Sequence, residues 1–455
     1  MSICFFQQGT EQSQEEVFDW DRKLVGFILG SFSMGYAVTQ FPAGWAATKL
    51  SPKRLIIFSA TLTFVASALS PTIARFGWGY LIATQVIKGL ASGIFYPALQ
   101  IAMASWMPPD ERSRMVALCY TGSPVGTLIG FVSAGVLCVE GFAGGWPSVF
   151  YIYAIVGFAW LIFFIILVHD NPAVHPFISE RERSYIEDSL ASEITFDKKK
   201  QENIPWKSIF TSTPLLAIVI TEMAYCWLWF SALMTLPIYV NDVLKFSVKK
   251  NGLASSMPYI ANLFVALTSS YIADLMIQMK LMSITYVRKM CVSCAMLLPA
   301  VFIVTAGFLN PHNPDPYLAV LLISLAVGCL AFARSGITAN LIDIAPRYSS
   351  VLMGIDNTLC SVTGFIAPIV PGYMAPNGTQ EEWRNIFFLA ASISVFAEII
   401  YLIFGTGEIQ PWAKESNIYT SGSSPISGES NEESNQQEAP LVSSRRKKRE
   451  RNPKV

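Results

Sequence analysis

The chain has 455 residues, 52% of them hydrophobic and 14% charged, and a mean hydropathy of +0.43. Soluble domains carry about 25% charged residues, so the composition excludes an ordinary soluble protein and points to a polytopic membrane protein. Lys plus Arg number 32 and Asp plus Glu number 32, a neutral balance that gives no reason to expect nucleic acid as a partner.

The opening residues, MSICFFQQGTEQSQEEVFDWDRK, are acidic and lack a sustained apolar run, so they do not read as a signal peptide. A membrane-crossing helix needs about 20 mostly apolar residues. Stretches of that kind fall at 24–46, 54–74, 78–106, 115–139, 146–168, 209–240, 252–277, 287–309, 316–344, 349–375 and 383–405, about eleven spans in all. Five precede a polar stretch, Asp170–Lys207, and six follow it. That stretch carries Arg181, Arg183, Lys198, Lys199, Lys200 and Lys207, and ISERERSYIEDSL within it reads as helical. Gly44–Thr48 ends the first span and Ser270–Asp274 ends the seventh, a weak internal repeat. The pattern predicts two related halves around a central site, one lacking its first helix. The expected division is a non-cytoplasmic segment 1–23, a half at 24–169, a cytoplasmic linker at 170–208, a second half at 209–412 and a tail at 413–455.

Lys and Arg concentrate in cytoplasmic loops. Lys49, Lys53, Arg54, Arg112, Arg114, the linker, Lys280, Arg288, Lys289, Arg347 and the tail all fall on one side. The opposite loops hold Arg75 and Arg384, with Lys245, Lys249 and Lys250 as the exception. The C-terminus is therefore expected in the cytoplasm and the N-terminus outside. Asn377-Gly378-Thr379, a glycosylation sequon, falls on the outer side. From about Asn417 the tail is rich in Ser, Gly, Asn and Glu and ends in Arg445-Arg446-Lys447-Lys448-Arg449. It is expected to be disordered, with a basic cluster that is solvated or touches anionic lipid.

No metal centre is expected. Of eight cysteines, Cys291 and Cys294 are close together, but no second Cys or His pair supports them, and helix packing is the favoured reading. His169, His175 and His312 lie in or beside loops. No GxxxxGK[ST] loop occurs, so ATP is not expected as the direct energy source, and no enzyme activity or cofactor is expected.

Several motifs in order carry a family resemblance: GSFSMGYAVTQFPAGWAATKL (Gly30–Leu50), GLASGIFYPA followed by WMPPDERSR, GWPSVFYIYA (Gly145–Ala154), NGLASSMPYI (Asn251–Ile260), ANLIDIAPRYSSVLMGIDNT (Ala339–Thr358), and EEWRNIFFLAA with GTGEIQPWA. Together, from about Phe18 to Trp412, they resemble the anion–cation symporter family of the major facilitator superfamily, and sialin-like members most. The family includes sialin, the vesicular glutamate transporters and the type I sodium–phosphate cotransporters. The resemblance implies an all-α helix bundle of the major facilitator type. It implies secondary active transport of a small organic or inorganic anion, such as a sialate-like acid or phosphate, coupled to H+ or Na+ by alternating access. A monomer in a lysosomal, vesicular or plasma membrane is expected.

The departures are informative. Family members have twelve spans, and the match here begins near the end of the loop after the first. Thr48 and Ser51 stand where the superfamily loop motif carries Asp and Gly. Gln85 and Ser92 stand where relatives often carry Arg and Glu tied to anion binding and proton coupling. Tyr225 stands where vesicular glutamate transporters have Arg, which argues against glutamate. These losses keep one alternative open, a transport-inactive membrane protein with a regulatory or sensing role. A channel is disfavoured, because no ring of like charges or filter motif is evident.

Six ionisable residues lie in predicted spans: Lys88, Glu222, Arg334, Asp343, Asp356 and Glu398. Each costs about 2.5–3.5 kcal/mol at a helix centre, so each should face protein or a water-filled cavity. Lys88 shares a helix face with Gln85 and Ser92, and Gly89, Gly93 and Pro97 beside it invite close approach of a neighbour. It either replaces the family arginine as an anion contact or pairs with a carboxylate. Arg334, among small residues, either contacts substrate through its planar fork or pairs with Asp343, Asp356 or Glu398. Asn340 and Asp343 match the family's NxxD-I-A-P pattern, which implies gating or coupling; the competing reading has Asp343 bound to N–H groups of the turn or to Arg347. Asp356 and Glu222 are candidate proton or cation carriers. Tyr225, at the family-arginine position, is the one site candidate in the aromatic run Tyr225, Trp227, Trp229, Phe230 and Tyr239; Gln40, beside Thr39, is expected to face the cavity or a helix partner.

Overall fold

The computed structural model describes residues 20–47, 49–108, 112–197, 204–309 and 315–413. The N-terminal residues 1–19, Thr48, Pro109, Asp110, Glu111, Lys198, Lys199, Lys200, His312 and the basic tail lie outside the described residues.

Among the described residues every regular element is helical. The long helices are α1 (Arg22–Ala47), α2 (Pro52–Ala74), α3 (Trp78–Trp106), α4 (Arg112–Glu140) and α5 (Trp146–Leu167). After them come α6 (Glu180–Asp197) in the linker and the short α7 (Trp206–Phe210). The remainder are α8 (Thr213–Asp242), α9 (Val248–Gln278), α10 (Ile284–Gly307), α11 (Pro316–Cys329), α12 (Ala339–Ile344), α13 (Ser349–Ile366), α14 (Val370–Met374) and α15 (Gln380–Phe404). Among the described residues, ten stretches are long and apolar enough to cross a membrane. Helix α1, with 26 residues, corresponds to the remaining predicted span and is about 39 Å long at 1.5 Å per residue.

Local chemistry sets the ends. The Asp170 carboxylate, just past α5, accepts from the Lys53 backbone N–H at 2.9 Å and lies 2.8 and 2.7 Å from the Ser51 hydroxyl. It thereby satisfies otherwise orphaned donors at the start of α2 and ties that start to the exit of α5. Thr379 and Glu382 form a reciprocal capping box on α15. Gly144 and Gly145, at φ 86° and 91°, turn the chain between α4 and α5. Internal prolines such as Pro42, Pro97 and Pro258 are carried inside helices, as spanning helices tolerate.

Helix α3 packs along α1 as its glycine spacing predicts. A Cβ on Gly89 would lie 2.0 Å from the Phe32 carbonyl oxygen, and one on Gly93 would lie 2.1 Å from Thr39 Oγ1. The largest buried cluster gathers Leu215, Ile218, Val292, Met296, Ile337, Leu341 and Tyr401 from α8, α10, α12, α15 and the segment before α12. On α5, by contrast, Ile155, Ile162, Phe163 and Ile166 are 55–63% exposed, an apolar surface suited to lipid.

The closest contacts between the elements before the linker and those after it run between α1 and α13 with α14, and between α4 and α9. Each pair touches at one end and parts at the other. Gly30 abuts the Phe365 carbonyl and Gly135 abuts Gly252, whereas Gly44, Gly122, Gly126 and Gly354 have open space where a Cβ would stand. The contact end is cross-linked by Arg22 to Asp242 and by Lys249 to Glu140. The two sets of helices therefore form a V, closed at the Arg22 end.

Candidate substrate and coupling site

The predicted span at 316–344 is not one continuous helix. Helix α11 stops at Cys329, and the chain tightens as Ala333 N–H bonds Leu330 O at 3.0 Å and Arg334 N–H bonds Ala331 O at 3.2 Å. It then widens into a π-bulge over Arg334–Thr338, closed by the Ala339 N–H donating to the Arg334 carbonyl. Such bulges recur at functional sites. Small residues permit the close packing: a Cβ on Gly336 would meet Val292 Cγ2 at 2.7 Å and Cys291 Cβ at 3.2 Å. Cys291 is buried in this packing with Val287 and Ala273.

The bulge places Arg334 in an exposed position, as positive neighbour of both Glu222 and Tyr225 on α8. Asp356 on α13 is the negative neighbour of Glu222. Among the described residues, Glu222 Oε2 and Asp356 Oδ1 are buried without a hydrogen-bond partner. Cys226 on α8 and Cys360 on α13 neighbour one another between the same two helices. Tyr225 is 8% exposed and stacks on Trp229 with ring centroids 6.3 Å apart. Electrostatic reach thus links four predicted site residues through Glu222: Arg334, Tyr225, Glu222 and Asp356.

Asn340 and Asp343 stand apart from that cluster. Asn340 Nδ2 donates to Tyr401 Oη at 2.6 Å. The geometry gives Asp343 a different partner from those expected: its Oδ2 accepts from Arg288 Nε at 2.7 Å, and Arg288 Nη1 donates to the Ser335 carbonyl at 2.7 Å. The Glu398 carboxylate accepts from the Ser293 hydroxyl. In the sequence Arg288 stands only among loop charges, and nothing in its spacing signals these contacts.

Lys88, Gln85 and Gln40 lie in the other helix set. Gln85 and Gln40 are buried on α3 and α1. The Lys88 ammonium stands 5.6 Å from the Phe150 ring centroid, and among the described residues it meets no carboxylate. One turn along α3, Ser92 lines a cavity of about 570 Å³ together with Tyr36, Thr63, Trp160, Phe230 and Ser361. Phe230 and Ser361 come from α8 and α13, so the cavity spans both sets. Its walls are aromatic rings and hydroxyls.

The Major Facilitator Superfamily sequence model matches residues 11–302. Sialin from Homo sapiens is 36% identical over 396 residues, which cover 87% of this chain and 78% of that protein. The chain belongs to the anion–cation symporter family of the major facilitator superfamily. A second symporter-family relative, a putative inorganic phosphate cotransporter from Drosophila melanogaster, is 38% identical over 407 residues, covering 88% of this chain and 76% of that one. Among solved structures, an inward-facing, unoccupied bacterial homologue of the human lysosomal transporter Spinster matches with a TM-score of 0.68. It covers 87% of this chain and 92% of that chain at 12% identity, a level at which the likeness concerns fold. By family and fold, then, the chain is a multi-pass membrane transporter.

Within the symporter frame, a further set of contacts has no signature in the sequence. Arg22 and Asp242, both at predicted span ends, meet across the closed end, and Trp383 Nε1 joins them by donating to Asp242 Oδ2 at 3.2 Å. Asn377 is exposed beyond α14, and its Nδ2, the atom that would carry a glycan, donates to Glu382 Oε1 at 2.8 Å.

Proposed function

We propose that this symporter-family member carries a small organic anion together with a proton or sodium ion, by alternating access. The observation that carries the reading is the juxtaposition of Arg334 with Glu222, and of Glu222 with Asp356. An arginine fork suits a carboxylate or phosphate oxygen pair. An anion that binds Arg334 competes with Glu222 for its positive charge. Glu222 is then left beside a second carboxylate, and a proton or sodium ion relieves the repulsion. Anion and cation thus load together, which is symport. The aromatic and hydroxyl-lined cavity, reaching one turn beyond Cys226 on α8, offers room for the uncharged body of an organic acid; bare phosphate would leave it unfilled. Lys88 supplies a second positive charge on the opposite set, while Gln85, Gln40 and Tyr225 contribute polar contacts. Asn340 and Asp343 serve gating beside the bulge.

The Lys and Arg distribution supports an orientation with linker and C-terminus in the cytoplasm. The Arg22 end is then the outer end, and the V opens inward. Binding in the cleft biases the rocking of one set against the other.

Uptake into proteoliposomes of a sialate-like acid, phosphate and glutamate, under imposed proton or sodium gradients, tests the reading. Gradient-driven uptake of the organic acid, with KM raised at least about tenfold in Arg334→Gln at equal protein, is expected. No uptake of any anion, or uptake untouched by Arg334→Gln, overturns it, and the first result would favour a regulatory membrane protein.

A further inference from the structure

The π-bulge has an external brace. In an α-helix the Ala339 N–H would donate to the carbonyl four residues back, at Ser335. Here it reaches one residue further, to Arg334. The Ser335 carbonyl instead receives Arg288 Nη1 at 2.7 Å. Arg288 comes from α10, is 8% exposed and is oriented by Asp343, whose Oδ2 accepts its Nε at 2.7 Å. Asp343 itself lies on α12, one side of the bulge, so the guanidinium spans from the bulge's own backbone to the next helix. A buried guanidinium can hold two acceptors in a fixed plane, which a lysine cannot reproduce. On the far side, Ser335 Oγ meets Ser270 Oγ at 3.1 Å, so the bulge is pinned on two faces.

We infer that Arg288 is a positioning residue: by bridging the Ser335 carbonyl to Asp343 it holds the widened register of this helix, and that register is what presents Arg334 to Glu222 and Tyr225. Without the brace, the segment relaxes toward regular α-helix. Removing the one extra residue of the bulge rotates the helix on its N-terminal side by about 100° relative to α12 on its C-terminal side, carrying Arg334 off the face it shares with Glu222. The inference rests on Arg334 as the anion contact for its transport consequence, but not for its structural one.

Two readouts separate these. In proteoliposomes, Arg288→Gln should raise KM for the organic anion about tenfold with little change in maximal rate per folded molecule. The same substitution placed on Arg334→Gln should add almost nothing further. Independently of transport, the rate at which a cationic thiol reagent modifies Arg334→Cys, measured as the increment over the parent protein, should change at least about fivefold when Arg288→Gln is added. Arg288→Lys, which keeps the charge beside Asp343, should shift the labelling rate in the same direction and serves if the glutamine variant fails to fold. An unchanged labelling rate in the folded variants overturns the inference. So does a KM effect of Arg288→Gln that is fully additive with Arg334→Gln. If labelling changes while Arg334→Gln leaves uptake untouched, the brace stands and the anion-contact reading falls.

Discussion

Arg22 and Asp242, 220 residues apart in sequence, grip each other at two points: Nη1 to Oδ2 at 2.5 Å and Nη2 to Oδ1 at 3.0 Å. The Asp242 side chain is 3% exposed and that of Arg22 27%. Trp383 N–H takes a further position on the same carboxylate, and Arg22 Nη1 lies 3.5 Å from the Ala375 carbonyl. One ion pair thus joins the start of α1 to the end of α8, with contacts from beyond α14 and from α15. In a transporter that rocks between two V shapes, this pair has to part whenever the Arg22 end opens.

Asp242→Asn should therefore shift the population toward states open at that end. Charge-assisted hydrogen bonds of this kind contribute about 2 kcal/mol, so a shift of about 30-fold is expected. Spin labels at Phe76 and Phe308, both exposed on the bundle surface, would report it as a longer component in their distance distribution. Swapping the charges, Arg22→Asp with Asp242→Arg, should restore the closed form only in part, because the Trp383 N–H then faces a cation. Distances indifferent to Asp242→Asn would show that the helix contacts alone keep this end shut.

The α1–α3 contact leaves no room for a methyl group. Gly89→Ala sets a Cβ 2.0 Å from the Phe32 carbonyl oxygen, backbone that cannot yield without separating the helices. A loss of about 1–3 kcal/mol, seen as a lowered unfolding temperature in detergent, is expected. Gly354→Ala places its Cβ in open space and should leave that temperature unchanged or slightly higher, since alanine favours helix. Equal effects of the two changes would contradict the steric account.

A feature is legible in the sequence when the force that makes it is local. Span positions are legible, because a bilayer requires a long apolar helix whatever its neighbours, and Gly89 and Gly93 announce their contact through spacing alone. Arg334, Tyr225, Glu222 and Asp356 are visible as costly or unusual groups inside spans, although not as a constellation. The partner of Asp343 is not visible: Arg288 stands 55 positions away on another helix, and its pairing depends on how α10 crosses the bulge. The bulge itself is one residue of extra backbone, for which Ala333, Ser335 and Gly336 give permission but no signal. Asp170 reads as the first polar residue of a linker, yet it caps α2 across 117 residues.

Removing either carboxylate of the coupling pair should separate anion movement from the cation gradient. Glu222→Gln keeps the shape and deletes the charge that competes for Arg334. Anion exchange between two loaded compartments should persist within about threefold, while uptake driven by a proton or sodium gradient falls at least about tenfold. Asp356→Asn should act in the same direction. Counterflow and gradient-driven uptake measured on the same vesicles check this, and a parallel loss of both would assign these residues to anion binding instead.

Lys88 offers a test in which stability and function move oppositely. Its ammonium lies among α3 and α5 with the Phe150 ring at 5.6 Å, and among the described residues no carboxylate compensates it. A cation–π contact contributes about 0.5–2 kcal/mol, less than the cost of about 2.5–3.5 kcal/mol for a charge at the centre of a span. Lys88→Gln should therefore raise the unfolding temperature of the ligand-free protein, by the equivalent of about 1–2 kcal/mol. If the charge is retained for the anion, the same change should raise KM several-fold, and more for a doubly charged substrate than for a singly charged one. A residue kept for function at the expense of stability shows both signs together. A lowered unfolding temperature would instead mark Lys88 as a tie between helices, and an unchanged KM would remove it from the site.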